Sequence, residues 1–163
     1  DTLSDISDAF SSFVSMPPQK KERTDLNAII RHAIAIFDLP YIRFESKQEQ
    51  ICLWVDKNQM NRMLTNLLKN AIYATDNIPD PLIEVTTYVT GDFAYIVVKD
   101  NGSGVPPELQ ERIFEPKFTT KNTAGSGLGL TMVKHIINAH GGTITLNSEV
   151  GKGATFTVEL KIR

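Results

Sequence analysis

Apolar positions along the chain follow two rhythms, and each change of rhythm marks an element. In DTLSDISDAFSSFVSM the residues Leu3, Ile6, Phe10, Phe13 and Val14 recur at helical spacing, and Pro17-Pro18 stops the run. The polar stretch PPQKKER reads as a connector. TDLNAIIRHAIAIF predicts a second helix, capped by Thr24 or Asp25, with Ile29, Ile30, Ala33, Ile36 and Phe37 on its apolar face. YIRFES and ICLWVD read as strands, the first with clean alternation. KNQMNRMLTNLLKNAIYATDN predicts a long helix with a core stripe of Met60, Met63, Leu64, Leu67, Leu68, Ala71 and Ile72. LIEVTTYVT and FAYIVVKD form a predicted hairpin turning at Gly91-Asp92. PPELQERIF predicts a short helix with proline near its first turn, where a missing N–H does no harm. EPKFTTKNTAGS is polar and loop-like, and GLTMVKHIINAHGG is a helix stopped by Gly141-Gly142. TITLNSE and TFTVELKI close the chain as a strand pair. No repeat or low-complexity tract interrupts this order. Helices mixed with antiparallel strand pairs predict an α+β sandwich with the helices on one face of the sheet.

The bulk numbers narrow the function classes. A chain of 163 residues fits one domain with a sizeable core, and 41% hydrophobic with 22% charged residues is ordinary for a soluble globular protein. A net charge of -2 gives no broad attraction to anionic lipid or to nucleic acid, and no nucleic-acid partner is expected. The single cysteine, Cys52, excludes an internal disulfide and reads as a small buried hydrophobe. No apolar run approaches a membrane span and no signal peptide is visible. The chain opens on Asp1 rather than methionine, so a piece of a longer protein is expected, and missing membrane segments say little about the parent.

Four stretches stand out, and the first three have a plain structural reading beside a functional one. In DNGSGVP a strand ends on Asp100, and Gly102 and Gly104 follow. That is common turn chemistry. It is also a way to hold a carboxylate toward an amine while bare backbone lets a flat group approach. Asn66 and Asn70 in NLLKNA lie four apart on one helix face bordering the apolar stripe. They read as a hydrogen-bonded pair at the core edge, or Asn70 offers its amide oxygen to Mg²⁺. GSGLGL, from Gly125 to Leu130, opens a helix; it is a flexible loop or a set of bare N–H groups aimed at an anion. Its spacing is neither the dinucleotide fingerprint nor a phosphate-binding G-K-[ST] loop. Gly151 and Gly153 in GKGATF turn the chain between the last two strands.

In this order the motifs are highly specific, and the chain resembles the catalytic, ATP-binding domain of bacterial sensor histidine kinases, within the GHKL ATPase superfamily. NLLKNA is similar to the N box, DNGSG to the first glycine box, FEPKF to the F box, GSGLGL to the second glycine box and GKGATF to the third. The resemblance covers roughly residues 24 to 162. FEPKFTTK is most similar to nitrogen-regulation-type sensor kinases, which usually carry an aromatic or apolar residue where Lys117 stands. The resemblance implies a two-layer sandwich: a mixed sheet of about five strands on three helices, with ATP between the helices under a lid of about residues 115–129. It implies three parts: residues 1–16 as the end of the second helix of the dimerisation and phosphoacceptor domain, 17–23 as linker, and 24–163 as the catalytic domain.

The resemblance also implies roles. Asp100 accepts a hydrogen bond from the adenine amine and disfavours guanine, whose carbonyl would face the carboxylate. Gly102 and Gly104 let the base lie close. Asn70 holds Mg²⁺. Asn66 stands where ATP-hydrolysing relatives carry a water-activating glutamate, and an amide cannot take that proton. Many members carry a lysine three residues after the Mg²⁺ asparagine; here Tyr73 departs from the pattern. Phosphate charge then falls to Lys69, Lys117 or Lys121, with Lys121 preferred and a solvated surface charge the alternative for each. Asn66, Asn70 and Lys121 are the expected catalytic set. Tyr73, Phe118, Thr119, Thr120, Gly125, Ser126, Gly127, Leu128, Gly129, Leu130 and Thr155 complete the expected nucleotide contacts, and Phe114 and Phe118 pack the lid or simply fill core.

None of the histidines has an acidic neighbour after it. His32 and His135 read as surface or packing residues, and His140 as a helix C-terminal residue favourable to the dipole. The phosphoacceptor is therefore expected elsewhere. The implied reaction moves the γ-phosphate of Mg·ATP to a histidine on the dimerisation domain, for relay to an aspartate on a response-regulator receiver domain. The implied parent is homodimeric, with this domain cytoplasmic and an inner-membrane sensor as the kind of parent. Two rivals are a GHKL serine kinase of the anti-sigma-factor type and a non-catalytic nucleotide-binding module. The amphipathic opening segment and FEPKFTTK argue against the first; Asn70, Asp100 and Gly127 argue against the second.

Overall fold

The computed structural model describes residues 17–115 and 129–162. The expected helix remnant at 1–16 and most of the expected lid fall outside them. The elements are β1 (Glu22–Asp25), α1 (Leu26–Phe37), β2 (Ile42–Ser46), β3 (Cys52–Val55), α2 (Lys57–Ala74), β4 (Ile83–Thr90), β5 (Phe93–Asp100), α3 (Pro107–Gln110), α4 (Gly129–Ala139), β6 (Thr143–Glu149) and β7 (Gly153–Lys161).

Local chemistry sets the helix ends. The Asp25 carboxylate accepts the Asn27 and Ile51 amides at 3.1 Å each, which decides the cap of α1 between the two candidates. Asp56 caps α2 by accepting the Gln59 amide at 3.0 Å. The chain leaves α1 through Asp38 and leaves the end of α4 through Gly141, both in the left-handed region.

The main sheet has the order β2-β4-β5-β7-β6. β2 runs parallel to β4 and the remaining pairs are antiparallel, so the sheet is mixed as expected. Alternation gives it one buried face: Ile83 and Val85, Ala94, Ile96 and Val98, and Phe156, Val158 and Leu160 point the same way. That face meets the stripe Met60, Met63, Leu64, Leu67, Leu68 and Ala71 of α2 and Met132, Val133, Ile136 and Ile137 of α4, and together they form the core. On the opposite face the paired Tyr88 and Tyr95 rings stack at 4.8 Å, and the Tyr95 hydroxyl donates to Glu159 at 2.9 Å.

A parallel pair needs a long crossover, and a buried polar knot holds this one. Asn27, fully buried on α1, donates to Ser46 Oγ at 2.9 Å and to the Gln48 carbonyl at 3.0 Å. Its Oδ1 accepts from the Thr87 hydroxyl at 2.7 Å. One side chain thus ties α1, the end of β2 and β4 together.

Three elements differ from the expectation. β3 does not join the main sheet; it pairs antiparallel with β1, and β1 begins at Glu22, inside the stretch read as a connector. Four residues without alternation carry too little periodicity to reveal such a strand. The segment PPELQERIF is helical only at Pro107–Gln110. Ile36 is 65% exposed at the outer side of α1, and Cys52 is half-buried rather than buried.

Candidate functional site

The site is built where β5 ends. β5 is paired along its whole length with β4 on one side and β7 on the other, which places Asp100 opposite both Ile83 and Ala154. Asp100 is 2% exposed. Its Oδ1 accepts the Gly102 amide at 2.9 Å and the Ala154 amide at 3.3 Å. Burial pushes this carboxyl above its ordinary value, and the two amides offset only part of that. A buried carboxylate with backbone bonds to one oxygen keeps the other available to a donor.

The glycines after Asp100 answer first to the protein itself. A Cβ on Gly102 would collide with the Ala74 carbonyl at the end of α2, where the Ser103 amide donates at 3.3 Å. Gly104 has φ +78, and a Cβ there would strike the Glu149 carbonyl. The Val105 amide donates to Ser148 Oγ at 2.7 Å, and the Gly151 amide to the Ser103 carbonyl at 2.8 Å. The loop after β5 is thereby clamped between the C-terminus of α2 and the β6–β7 turn. Asn101, unassigned by sequence reasoning, anchors it further: Oδ1 accepts the Leu82 amide at 2.9 Å and Nδ2 donates to the Asp80 carbonyl at 2.8 Å.

This clamping brings the C-terminal half of α2 to the end of β5. Asn66 and Asn70 are half-buried on α2, with Tyr73 45% exposed one turn further on the same side. Lys69 is exposed. Gly129 and Leu130 form the first turn of α4, exposed and half-buried respectively. The Thr131 hydroxyl donates to the Phe114 carbonyl at 2.8 Å, so the two flanks of residues 116–128 are tied together. Phe114 is half-buried, edge-on to Phe156 at 6.2 Å with the Lys134 ammonium 5.2 Å above its ring. Lys117, Phe118, Thr119, Thr120, Lys121, Gly125, Ser126, Gly127 and Leu128 lie outside the described residues.

Thr155 is not brought to the site. It is paired with Lys99 and Asn147, between the buried Ala154 and Phe156, so strand alternation turns its side chain to the face away from Asp100 and the helices. The residue that meets Asp100 is Ala154, through its amide. Sequence reasoning missed it because the register of β7 against β5 decides which of two neighbours faces inward. Among the described residues no group of three or more His, Cys, Asp or Glu side chains could hold a metal ion. No helix among them is long and apolar enough to cross a membrane.

The sandwich, with a buried strand-end carboxylate beside an asparagine-bearing helix, defines the class. The chain belongs to the family of histidine kinase-, DNA gyrase B- and HSP90-like ATPases, whose pattern matches residues 55–163. Within that family it is an ATP-binding catalytic domain of the histidine-kinase kind. It is similar to the nucleotide-free catalytic domain of histidine kinase ThkA, with 31% identity and a TM-score of 0.79 over 88% of this chain and 96% of that one. It is also similar to ThkA in complex with the response regulator protein TrrA, with 26% identity and a TM-score of 0.82 over 99% of this chain and 47% of that chain. Nitrogen regulation protein NtrY of Azorhizobium caulinodans is 35% identical over 94% of this chain and 21% of its own length. The chain spans about a quarter of the length of the curated relatives it matches.

Proposed function

We propose that this chain binds Mg·ATP with its base at Asp100 and supplies the γ-phosphate to a histidine on a dimerisation domain of the same parent protein, for relay to a response-regulator receiver domain. The observation that carries the reading is Asp100: a buried carboxylate at the end of the central strand, with one oxygen held by two amides. An adenine amine satisfies the other oxygen, and guanine, with a carbonyl there, does not. Asn70 lies on the helix whose end the Asp100 loop packs against, and its amide oxygen suits a hard cation that takes few protein ligands and several phosphate oxygens. When bound, Mg²⁺ neutralises phosphate charge; the protein's part is positioning.

Asn66 supports transfer over hydrolysis, since its amide cannot deprotonate water. Lys121, Lys69 and the glycine run from Gly125 to Gly129 are the proposed phosphate contacts, carried over from the family's motifs. Tyr73 takes a place beside Asn70 where many relatives have lysine. Thr155 is left out of the set, on its orientation. Residues 1–16 are read as the end of the preceding helical domain. The ThkA–TrrA complex supports a receiver domain as partner, and a homodimeric parent with this domain in the cytoplasm follows from the family reading.

The test is labelling with γ-labelled ATP. The chain alone should turn ATP over slowly and carry no label, because His32, His135 and His140 lack an acidic neighbour. Adding the parent's dimerisation domain in trans should give acid-labile label on that domain, dependent on Asn70. Acid-stable label would favour a serine kinase, and no ATP binding with or without Mg²⁺ would favour a non-catalytic module.

A further inference from the structure

The segment before β1 does not hang free. The Lys20 amide donates to Asp56 Oδ2 at 2.7 Å. The Gln19 side-chain amide donates to the Ala139 carbonyl at 3.2 Å and reaches Gln59 Oε1 at 3.4 Å. It also lies 3.3 Å from each ring nitrogen of His140. Residues 19 and 20 therefore strap the start of α2 to the end of α4, and His140 sits under the strap.

The bonds of that ring fix its protonation state. Nδ1 lies 2.8 Å from the Ile136 carbonyl, which can only accept, so Nδ1 carries the proton. Nε2 lies 3.1 Å from the Asp56 backbone nitrogen, which can only donate, so Nε2 must offer its lone pair. The neutral Nδ1–H form satisfies both. A second proton on Nε2 would set two N–H groups against each other. The charged groups facing the ring are Lys21 from the strap, which disfavours the cation, and Asp56 from the start of α2, which favours it. Burial, the largest influence, also opposes the charge, and the net direction is below the ordinary value of 6.5. The ring is thus a neutral acceptor, not the dipole-favoured cation that its place at a helix C-terminus suggests.

We propose that His140 is a positioning residue that fastens the chain's N-terminal strap to the catalytic domain, and that acid releases the fastening. In its neutral form it holds the Asp56 amide, and Asp56 in turn holds the Lys20 amide with its carboxylate. Protonated, it loses the Asp56 N–H and displaces the junction on which the strap rests. The strap is where a preceding domain joins, so the clasp sets the direction from which that domain meets the nucleotide. This last consequence rests on the kinase reading; the clasp itself does not, and its test needs no nucleotide.

The experiment is a pH titration of the 163-residue chain followed by NMR. Long-range imidazole correlations at neutral pH should show the Nδ1–H form of His140. As pH falls through the His140 transition, the Lys20 and Asp56 amide signals should shift with the same midpoint, and residues 19 to 21 should lose backbone order on the fast timescale. The sign follows from the lowered pKa: the fastening is complete above about 6.5 and is lost as pH falls toward the lower folded-state value. His140→Gln, which keeps an acceptor and a donor but does not titrate in this range, should retain the ordered strap and abolish its pH dependence. An Nε2–H form at neutral pH would overturn the proposal. So would a strap that stays ordered with His140 protonated, or the same strap transition in His140→Gln. Unchanged ATP binding in any of these samples bears on neither outcome, and failure to bind ATP at all would strike the kinase reading while leaving the clasp standing.

Discussion

Asp100→Asn separates what the carboxylate does for the fold from what it does for a ligand. The asparagine carbonyl can keep both bonds that Oδ1 makes, to Gly102 at 2.9 Å and Ala154 at 3.3 Å. The second oxygen becomes an NH₂ group, which meets an adenine amine donor to donor. Mispairing a buried polar contact costs about 1–3 kcal/mol, so ATP affinity should fall by about 5- to 150-fold. Discrimination against GTP should shrink as well, because the new amide can donate to the guanine carbonyl. Stability should move the other way. The buried carboxyl has its folded-state pKa raised from 3.8, so the wild-type protein binds a proton more readily folded than unfolded. Its stability is then greatest below the unfolded value and declines as pH rises through the folded one. The variant, with nothing to ionise, should melt no lower than wild type near neutral pH, and any advantage should narrow toward about pH 4. Calorimetric titration with ATP and GTP and melting curves across pH give all three readouts. ATP binding as tight as wild type would refute the adenine assignment. A lower melting temperature near neutral pH would show that the charge itself holds the loop.

Three further perturbations follow from the geometry. Asn70→Ala should remove most of the Mg²⁺-dependent part of ATP affinity while sparing adenosine, since metal and base lie at opposite ends of the nucleotide; equal losses in calorimetry would indicate misfolding instead. Gly102→Ala should destabilise the apo protein by about 1–3 kcal/mol, because its Cβ meets the Ala74 carbonyl, whereas Gly91→Ala has open space and carries only the smaller strain of its φ of +61; denaturant melts with equal losses would contradict this. Asp56→Ala should cost about 1–2 kcal/mol for the lost α2 cap. Burial raises the Asp56 pKa, but the Lys20, Gln59 and Asn58 amides and His140 outweigh it and lower it below 3.8, so this contribution is present above 3.8 and lost as pH falls through the folded value. An acid limb of the stability profile identical in wild type and variant would exclude the assignment.

Long elements were legible because their periodicity repeats. The stripe from Met60 to Ala71 and the alternation in FAYIVVKD each carry several consistent signals, and both elements stand where the pattern put them. The family was readable from the ordered boxes, and the mixed sheet followed only as what that resemblance implies. Pairing was less so: nothing in YIRFES says that it joins β4 in parallel, because the Asn27 knot that fixes it draws on residues up to 60 positions apart. The same limit explains the site. Asp100 announces itself by standing at the end of an apolar run, but the inward neighbour, Ala154, is decided by a register that no short stretch contains. Gly102 and Gly104 were legible as demands for bare backbone, though not as demands made by the Ala74 and Glu149 carbonyls.

β5 is bonded to a neighbour on each flank from Phe93 to Asp100. A residue at the end of such a strand cannot slide or swing without breaking register on both sides. Asp100 is for this reason a fixed coordinate rather than an adaptable contact, and selection falls on the visitor. Under the proposed assignment of the adenine amine to Asp100, a compound that competes for this place needs a hydrogen-bond donor at that one point. A ring that loses that donor finds no compensating movement in the protein.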